Sequence, residues 1–182
     1  MGDSLFRGKL VRLAPSTRDD AEVFARWSQD ADYLRNLDTD YARPFSTESY
    51  IERFNPGHES PNSVVFHLRT LEDDRLIGFV AIDTIEWNNQ VGLLAIGIGE
   101  PNYRGRGYGA DALRLILRYA FDELNLHRVG LDVISNNAQA IQAYERVGFK
   151  EEGIQRDAVL RDGQRHGLIV MGILRHEWEA SR

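Results

Sequence analysis

The sequence predicts a mixed α/β architecture in which helices flank a central, mostly antiparallel sheet. Three observations carry this. Strand-like runs joined by short turns fill the stretch from 64 to 99. A glycine-rich turn then opens the clearest amphipathic helix of the chain. One more strand and helix follow, and a hairpin closes the pattern. With no internal repeat, low-complexity tract or linker, the 182 residues read as one domain, 1–182.

Leu10 to Leu13 reads as a short first strand, ended by Pro15. Asp19-Asp20 open a helix pattern through Val23, Phe24 and Trp27. Gln29 to Pro44 is polar, with Tyr33, Tyr41 and then Phe45 interspersed, and no element is assigned there. Ser46, with Ser49 three positions on, starts a second helix through Tyr50, Ile51 and Phe54, stopped by Pro56-Gly57. Val64, Phe66 and Leu68 alternate with less apolar neighbours, as a half-buried strand does. The acidic turn Glu72-Asp73-Asp74 leads into a strand from Leu76 to Asp83, and Asn88-Asn89 marks the next hairpin turn before the strand Gln90–Gly99. Leu113, Ile116, Leu117, Ala120, Phe121 and Leu124 then form one continuous helical stripe. Arg128–Ser135 is the next strand and Asn137–Val147 the next helix. Phe149–Leu160 and Gln164–Leu174 make a hairpin around Asp162-Gly163.

Composition excludes several classes of function. A hydrophobic fraction of 42% supplies one core, and no long apolar run marks a membrane span. The N-terminus lacks a signal-peptide core, so the expected location is cytoplasmic. Zero cysteines exclude disulfides, thiolate metal sites and an acyl-cysteine intermediate. A net charge of −6 argues against a nucleic-acid partner. The acidic balance suits a cationic substrate such as an amine, although solubility explains it equally well. His58, His67, His127, His166 and His176 show no metal-ligand spacing, and no serine sits in a G-x-S-x-G setting, so no metal is expected.

The most informative residues are Arg104-Gly105-Arg106-Gly107-Tyr108-Gly109. Alternate glycines leave the backbone bare, so its N–H groups can close on a ligand. The helix that follows aims its free amides and positive dipole end at the same spot. Strand, turn and helix N-terminus together make a phosphate cradle. Gly105, Gly107 and Ala110 also fit a dinucleotide fingerprint. That alternative wants an acid about 20 positions on and strand–helix alternation around the loop, whereas Asp132 falls inside a strand further away and the preceding strands read as antiparallel. A glycine-rich surface turn is the third reading.

A second motif, Asn137-x-x-Ala140-x-x-x-Tyr144-x-x-x-Gly148-Phe149, lies about one strand downstream. Together with the glycine loop it resembles the GNAT superfamily of acetyl-CoA-dependent N-acetyltransferases. Within that superfamily the turn Arg161-Asp162-Gly163-Gln164, the ending Leu174-Arg175-His176-Glu177-Trp178, and Trp27-x-x-Asp30 followed by Pro44-x-Ser46 resemble the RimJ/RimL branch. The resemblance covers about 9–178. It implies a GNAT fold and acetyl-CoA as the acetyl donor, and leaves the acceptor amine open.

Acetyl transfer to a primary amine needs a cradle for the cofactor, a donor to the thioester oxygen, an acid and a base, and the resemblance implies residues for most of these roles. Main-chain amides of Arg104–Gly109 hold the pyrophosphate. Main-chain groups of Ile98 and Gly99 pair with the pantetheine arm, and an N–H there polarises the thioester carbonyl. Asn137 contacts the pantetheine portion; on its own it reads as a helix cap, and both roles are compatible. Tyr144 is the expected general acid, a phenol of pKa about 10 protonating a thiolate of pKa about 8.5; its position on the stripe of Asn137, Ala140 and Ile141 also fits a core residue. The base is where the chain departs from the branch, because Leu93 stands where many of its members carry Glu. Asp83, Glu86, His127 or a water chain remain candidates. Acceptor selection is expected from the first two helices, the Asp30–Phe45 segment and the Arg156–His166 hairpin. Peptide or protein α-amines lead, with small-molecule amines such as polyamines and aminoglycosides open. The alternative is a catalytically silent acyl-CoA-binding module. A homodimer is expected, since Trp87 and Trp178 are large apolar groups at a turn and near the C-terminus.

Overall fold

A computed structural model describes residues 4–55 and 60–181. Seven strands form one sheet in the order β1-β2-β3-β4-β5-β7-β6: β1 (Val11–Ala14), β2 (Val64–Thr70), β3 (Leu76–Glu86), β4 (Val91–Ile98), β5 (Arg128–Ile134), β6 (Lys150–Arg161) and β7 (Gln164–Leu174). All neighbours are antiparallel except β4 and β5. The helix connecting those two makes them parallel.

Two helical layers cover the sheet. On one face α1 (Ala21–Trp27) and α3 (Thr47–Arg53) bury Phe24, Trp27 and Tyr50 against Leu76 and Phe79. On the other, α4 (Tyr108–Arg118) buries Ala112, Leu113, Ile116 and Leu117 against Val80, Ile82 and Leu94, with α5 (Ala138–Arg146) beside it. The stripe continues past α4 through a π-helical turn, Tyr119–Glu123, which keeps Ala120 and Phe121 buried. Covering both faces explains why β2 departs from simple alternation: His67 and Leu68 are both fully buried.

Local chemistry sets the remaining elements. Ser46 caps α3 by accepting from the Ser49 amide at 3.2 Å. The expected stop at Pro56-Gly57 lies outside the described residues; α3 already ends at Arg53, with the Phe54 amide bonded to Tyr50. Asp162 and Gly163 both take positive φ, as a tight hairpin turn requires. Buried Asp111 on α4 accepts the amides of Lys9, Leu10 and Val11 at 3.1, 2.7 and 3.0 Å, tying the start of the chain to the helix.

Two elements differ from the sequence expectation. The polar stretch after Gln29 contains α2 (Ala31–Leu37), capped by Asp30 accepting from the Tyr33 amide at 3.0 Å. No residue of α2 is fully buried, so it carries no strong apolar stripe. The chain ends in α6 (Arg175–Ala180), which buries Trp178 to 6% exposure against Phe121, ring centroids 5.0 Å apart. Trp178 therefore does not offer the exposed surface expected of it; Trp87, 48% exposed, does. No helix among the described residues is long and apolar enough to cross a membrane.

Candidate active site

The site begins where two parallel strands part. β4 and β5 pair only at Val91, Gly92 and Leu93. Beyond Leu93, β4 stays paired with β3 as far as Ile98, while β5 continues against β7. The Gly99 amide donates to the Ile77 carbonyl at 2.9 Å, on the β3 side. Alternation along a strand then turns the backbone groups of Ile98 and Ile96 to the opposite, unpaired edge. The Ile98 carbonyl is indeed found there, accepting Arg104 Nε at 2.9 Å.

A cleft of about 340 Å³ fills this opening, lined by Ile96–Ile98, Arg104, Gly105, Gly107 and Gly109, by Asn137, Ala140 and Tyr144 of the α5 segment, and by Tyr33 and Leu37 of α2. Gly105 and Gly107 take φ of +68° and +90°, conformations costly for any side chain. Gly107 occupies the N-cap of α4 and supplies no side-chain cap, so the first amides of the helix stay open to an anion. The side chains of Arg106 and Tyr108 face elsewhere. Arg106 donates to the Asn102 carbonyl at 3.1 Å, and Tyr108 packs edge-on against Tyr103 at 5.0 Å.

Arg104 knits the loop to α2. Its guanidinium donates to the Gly99 carbonyl at 2.9 Å, meets Asp30 at 3.3 Å and lies 5.2 Å from the Tyr33 ring centroid. On its other side α2 is pinned by Arg35 to Asp162 at 2.7 Å, while Arg161 donates to the carbonyls of Asp38 and Asp40. Trp27 donates to Glu100 at 3.0 Å, and a Cβ on Gly99 would stand 2.1 Å from its ring. Gly99 is thus a glycine because Trp27 lies against it.

Tyr144 lines the cleft from α5, half-buried, its ring 5.9 Å edge-on from Phe149. Its hydroxyl has no partner among the described residues, and burial pushes its pKa up to about 12. Asn137 caps α5 by accepting from the Ala140 amide at 3.2 Å and lines the same cleft.

The base candidates separate clearly. Glu86 pairs with Val91 at the far end of β4, and His127 precedes β5 at that same end, bonded through its amide to Gln90. Seven residues of strand, roughly 23 Å, part that end from Ile98. Asp83 instead stands directly across from Leu93, on the same face of the sheet. It accepts from the Ser63 hydroxyl and lines a second cleft of about 250 Å³ walled by Phe24, Tyr50, Phe54 and Phe79. Tyr33 and Leu37 line both clefts, so one α2 wall serves two cavities. Sequence reasoning missed this aromatic cleft and His67 within it. Its walls come from five elements spread along the chain, although the crowding of aromatics in residues 24–54 was a usable signal. Among the described residues no cluster of three or more potential metal ligands occurs.

The model of the acetyltransferase (GNAT) domain family matches residues 11–150. Over 176 residues the chain is 28% identical to "Probable N-acetyltransferase YjcK" of Bacillus subtilis (strain 168), covering 93% of this chain and 97% of that protein. It is 35% identical over 80 residues to the spermidine N(1)-acetyltransferase of Escherichia coli (strain K12), covering 44% of this chain and 43% of the enzyme. The fold matches that of spermidine N-acetyltransferase from Vibrio cholerae, solved with CoA and spermine, at a TM-score of 0.83 and 24% identity, over 93% and 98% of the two chains. A mixed sheet that opens between its two parallel strands, a glycine loop feeding a helix there, and a family match over most of the chain agree: this protein belongs to the GNAT acetyltransferase family.

Proposed function

We propose that the protein moves the acetyl group of acetyl-CoA directly onto a primary amine in a ternary complex, as a RimJ/RimL-like, cytoplasmic, single-domain enzyme acting on peptide or protein α-amines. The observation that carries this is the pair of clefts sharing one wall, one suited to the donor and the other to an acceptor. The donor cleft passes a simple fit test. An uncapped helix N-terminus and bare loop backbone suit a pyrophosphate, and the unpaired edge of β4 suits an extended amide-bearing arm.

Acetyl-CoA supplies the activated acyl carbon. The Ile98 amide, rather than that of Gly99, faces the cleft and supplies the donor to the carbonyl oxygen. The neutral amine bonds to the acyl carbon as the C–S bond breaks. Tyr144 gives its proton to the departing thiolate; the desolvation that raises the phenol raises the thiolate as well. The amine's proton leaves through water towards Asp83, about 13 Å along the sheet from Gly97. The aromatic cleft holds one carboxylate, Asp83, and one guanidinium, Arg53. This balance supports an amine on an apolar or aromatic body over a polycation, whose several charges would need more acids. We also infer a homodimer, supported by exposed Trp87.

The test is release of free thiol from acetyl-CoA against a panel of short peptides, spermidine and an aminoglycoside. Peptide-dependent release is expected. Tight acetyl-CoA binding with no release from any amine would overturn the enzymatic reading in favour of a silent acyl-CoA-binding module.

A further inference from the structure

His67 is fully buried in β2, on the sheet face covered by α1 and α3. Its Nδ1 lies 2.7 Å from Asp20 Oδ2, which also accepts from the Thr17 hydroxyl at 2.9 Å, while Arg69 pairs with the other Asp20 oxygen. Burial works to raise the Asp20 pKa, but the His67 and Thr17 hydrogen bonds and the Arg69 charge together hold it below the ordinary value. Burial lowers that of His67. With a carboxylate beside Nδ1, that nitrogen carries the proton and Nε2 keeps its lone pair. Nε2 is shut away from solvent and has no hydrogen-bond partner among the described residues. A buried acceptor without a donor is a costly arrangement, and it persists where something else brings the donor.

The imidazole forms part of the aromatic cleft wall, with the rings of Phe24 and Phe54 each 4.7 Å from it. His67 pairs in register with Phe79, and Phe79 with Gly97. These three residues form a row across the sheet, two strand spacings or about 10 Å long. Gly97 ends that row in the donor cleft, beside Tyr33.

We propose that His67 is a specificity-determining residue: its Nε2 accepts a hydrogen bond from a neutral N–H or O–H of the acceptor, about 10 Å from the amine that is acetylated. This rests on the acetyl-transfer reading. A neutral donor is favoured over a second ammonium because Asp20 is already matched by Arg69, and Arg53 adds a positive charge to the same wall. Asp83, the one carboxylate lining the cleft, stands four residues further along β3 than Phe79. An extended peptide meets the requirement, placing an amide or side-chain donor near that distance from its α-amine.

The test uses three matched amines with acetyl-CoA: 7-aminoheptan-1-ol, octylamine and 1,7-diaminoheptane, which differ only in a terminal hydroxyl, methyl or ammonium. The wild type is expected to favour the amino alcohol over octylamine in kcat/KM by about tenfold or more, since a site built for a donor rejects its isostere. His67→Phe keeps an aromatic ring but removes the acceptor. It should bring the ratio to about one, with a melting curve reporting folding. The ¹⁵N resonance of His67 Nε2 in the CoA-saturated wild type gives a readout independent of turnover and of any variant. It should move on adding the amino alcohol and stay with octylamine. Equal shifts, no shift, retention of the preference in His67→Phe, or a preference for the diamine would each overturn the proposal. A selective shift without turnover of any amine would leave the hydrogen-bond site standing and remove the acetyl-transfer reading.

Discussion

Gly109→Ala separates what the cradle does for the fold from what it does for a ligand. Gly105 and Gly107 have positive φ, so any substitution there strains the backbone and blurs the two. Gly109 lies inside α4 without positive φ, and an added Cβ would meet nothing closer than Ile98 Cγ1 at 3.9 Å, an ordinary contact. The protein alone therefore does not require glycine at this position. Alanine in a helix is worth up to about 0.5–1 kcal/mol over glycine. For a domain near 180 residues that raises Tm by roughly 1–4 °C. If a pyrophosphate rests on these amides, the new methyl stands in its path. Losing one charge-assisted hydrogen bond, about 1.5–3 kcal/mol, weakens acetyl-CoA binding by roughly 10- to 100-fold. Thermal denaturation without ligand and titration calorimetry with acetyl-CoA measure the two halves on one variant. A Tm that rises while Kd stays within about twofold would refute the placement of the phosphate.

Tyr144→Phe should lower kcat by roughly 10²–10⁴ with acetyl-CoA affinity within a few-fold; a full-speed variant would make Tyr144 a packing residue only. Because burial raises the folded pKa of Tyr144 to about 12, its stabilising contribution is complete below the unfolded value near 10 and is lost as pH climbs through 12. The urea midpoint of wild type minus that of Tyr144→Phe should therefore fall between about pH 10 and 12, and a flat difference would contradict the burial argument. Asp111→Ala strands three amides in one step and should cost about 3 kcal/mol or more, read as a lowered denaturation midpoint. Sedimentation equilibrium at micromolar concentration should give twice the chain mass, and a single-chain mass would remove the dimer.

The parts legible in the sequence were those whose chemistry acts locally. The loop from Arg104 to Gly109, the stripe from Leu113 to Phe121 and the Ser46 cap each declare themselves within a few residues. α2 did not, because it is held by ions at its rim, Asp30 to Arg104 and Arg35 to Asp162, and not by a buried stripe. The motif residues Asp30, Asp162 and Arg161 prove to be its anchors. Gly99 looked like a ligand contact but also answers to Trp27, 72 positions earlier. Nothing local joins His67 to Asp20, 47 residues apart. Trp178, read from a short terminal stub, is buried by a partner in another element.

Because Tyr33 and Leu37 face both cavities, neither can be filled without bearing on the other. A ligand that steadies this wall spares the next one part of the ordering entropy. Linkage makes the effect reciprocal: whatever factor acetyl-CoA adds to the affinity for an amine, the amine returns to acetyl-CoA. Since α2 is pinned by exchangeable ion pairs, dissolved salt competes for the same wall. Cooperativity between donor and acceptor would thus be set partly by ionic strength, with no third binding site involved.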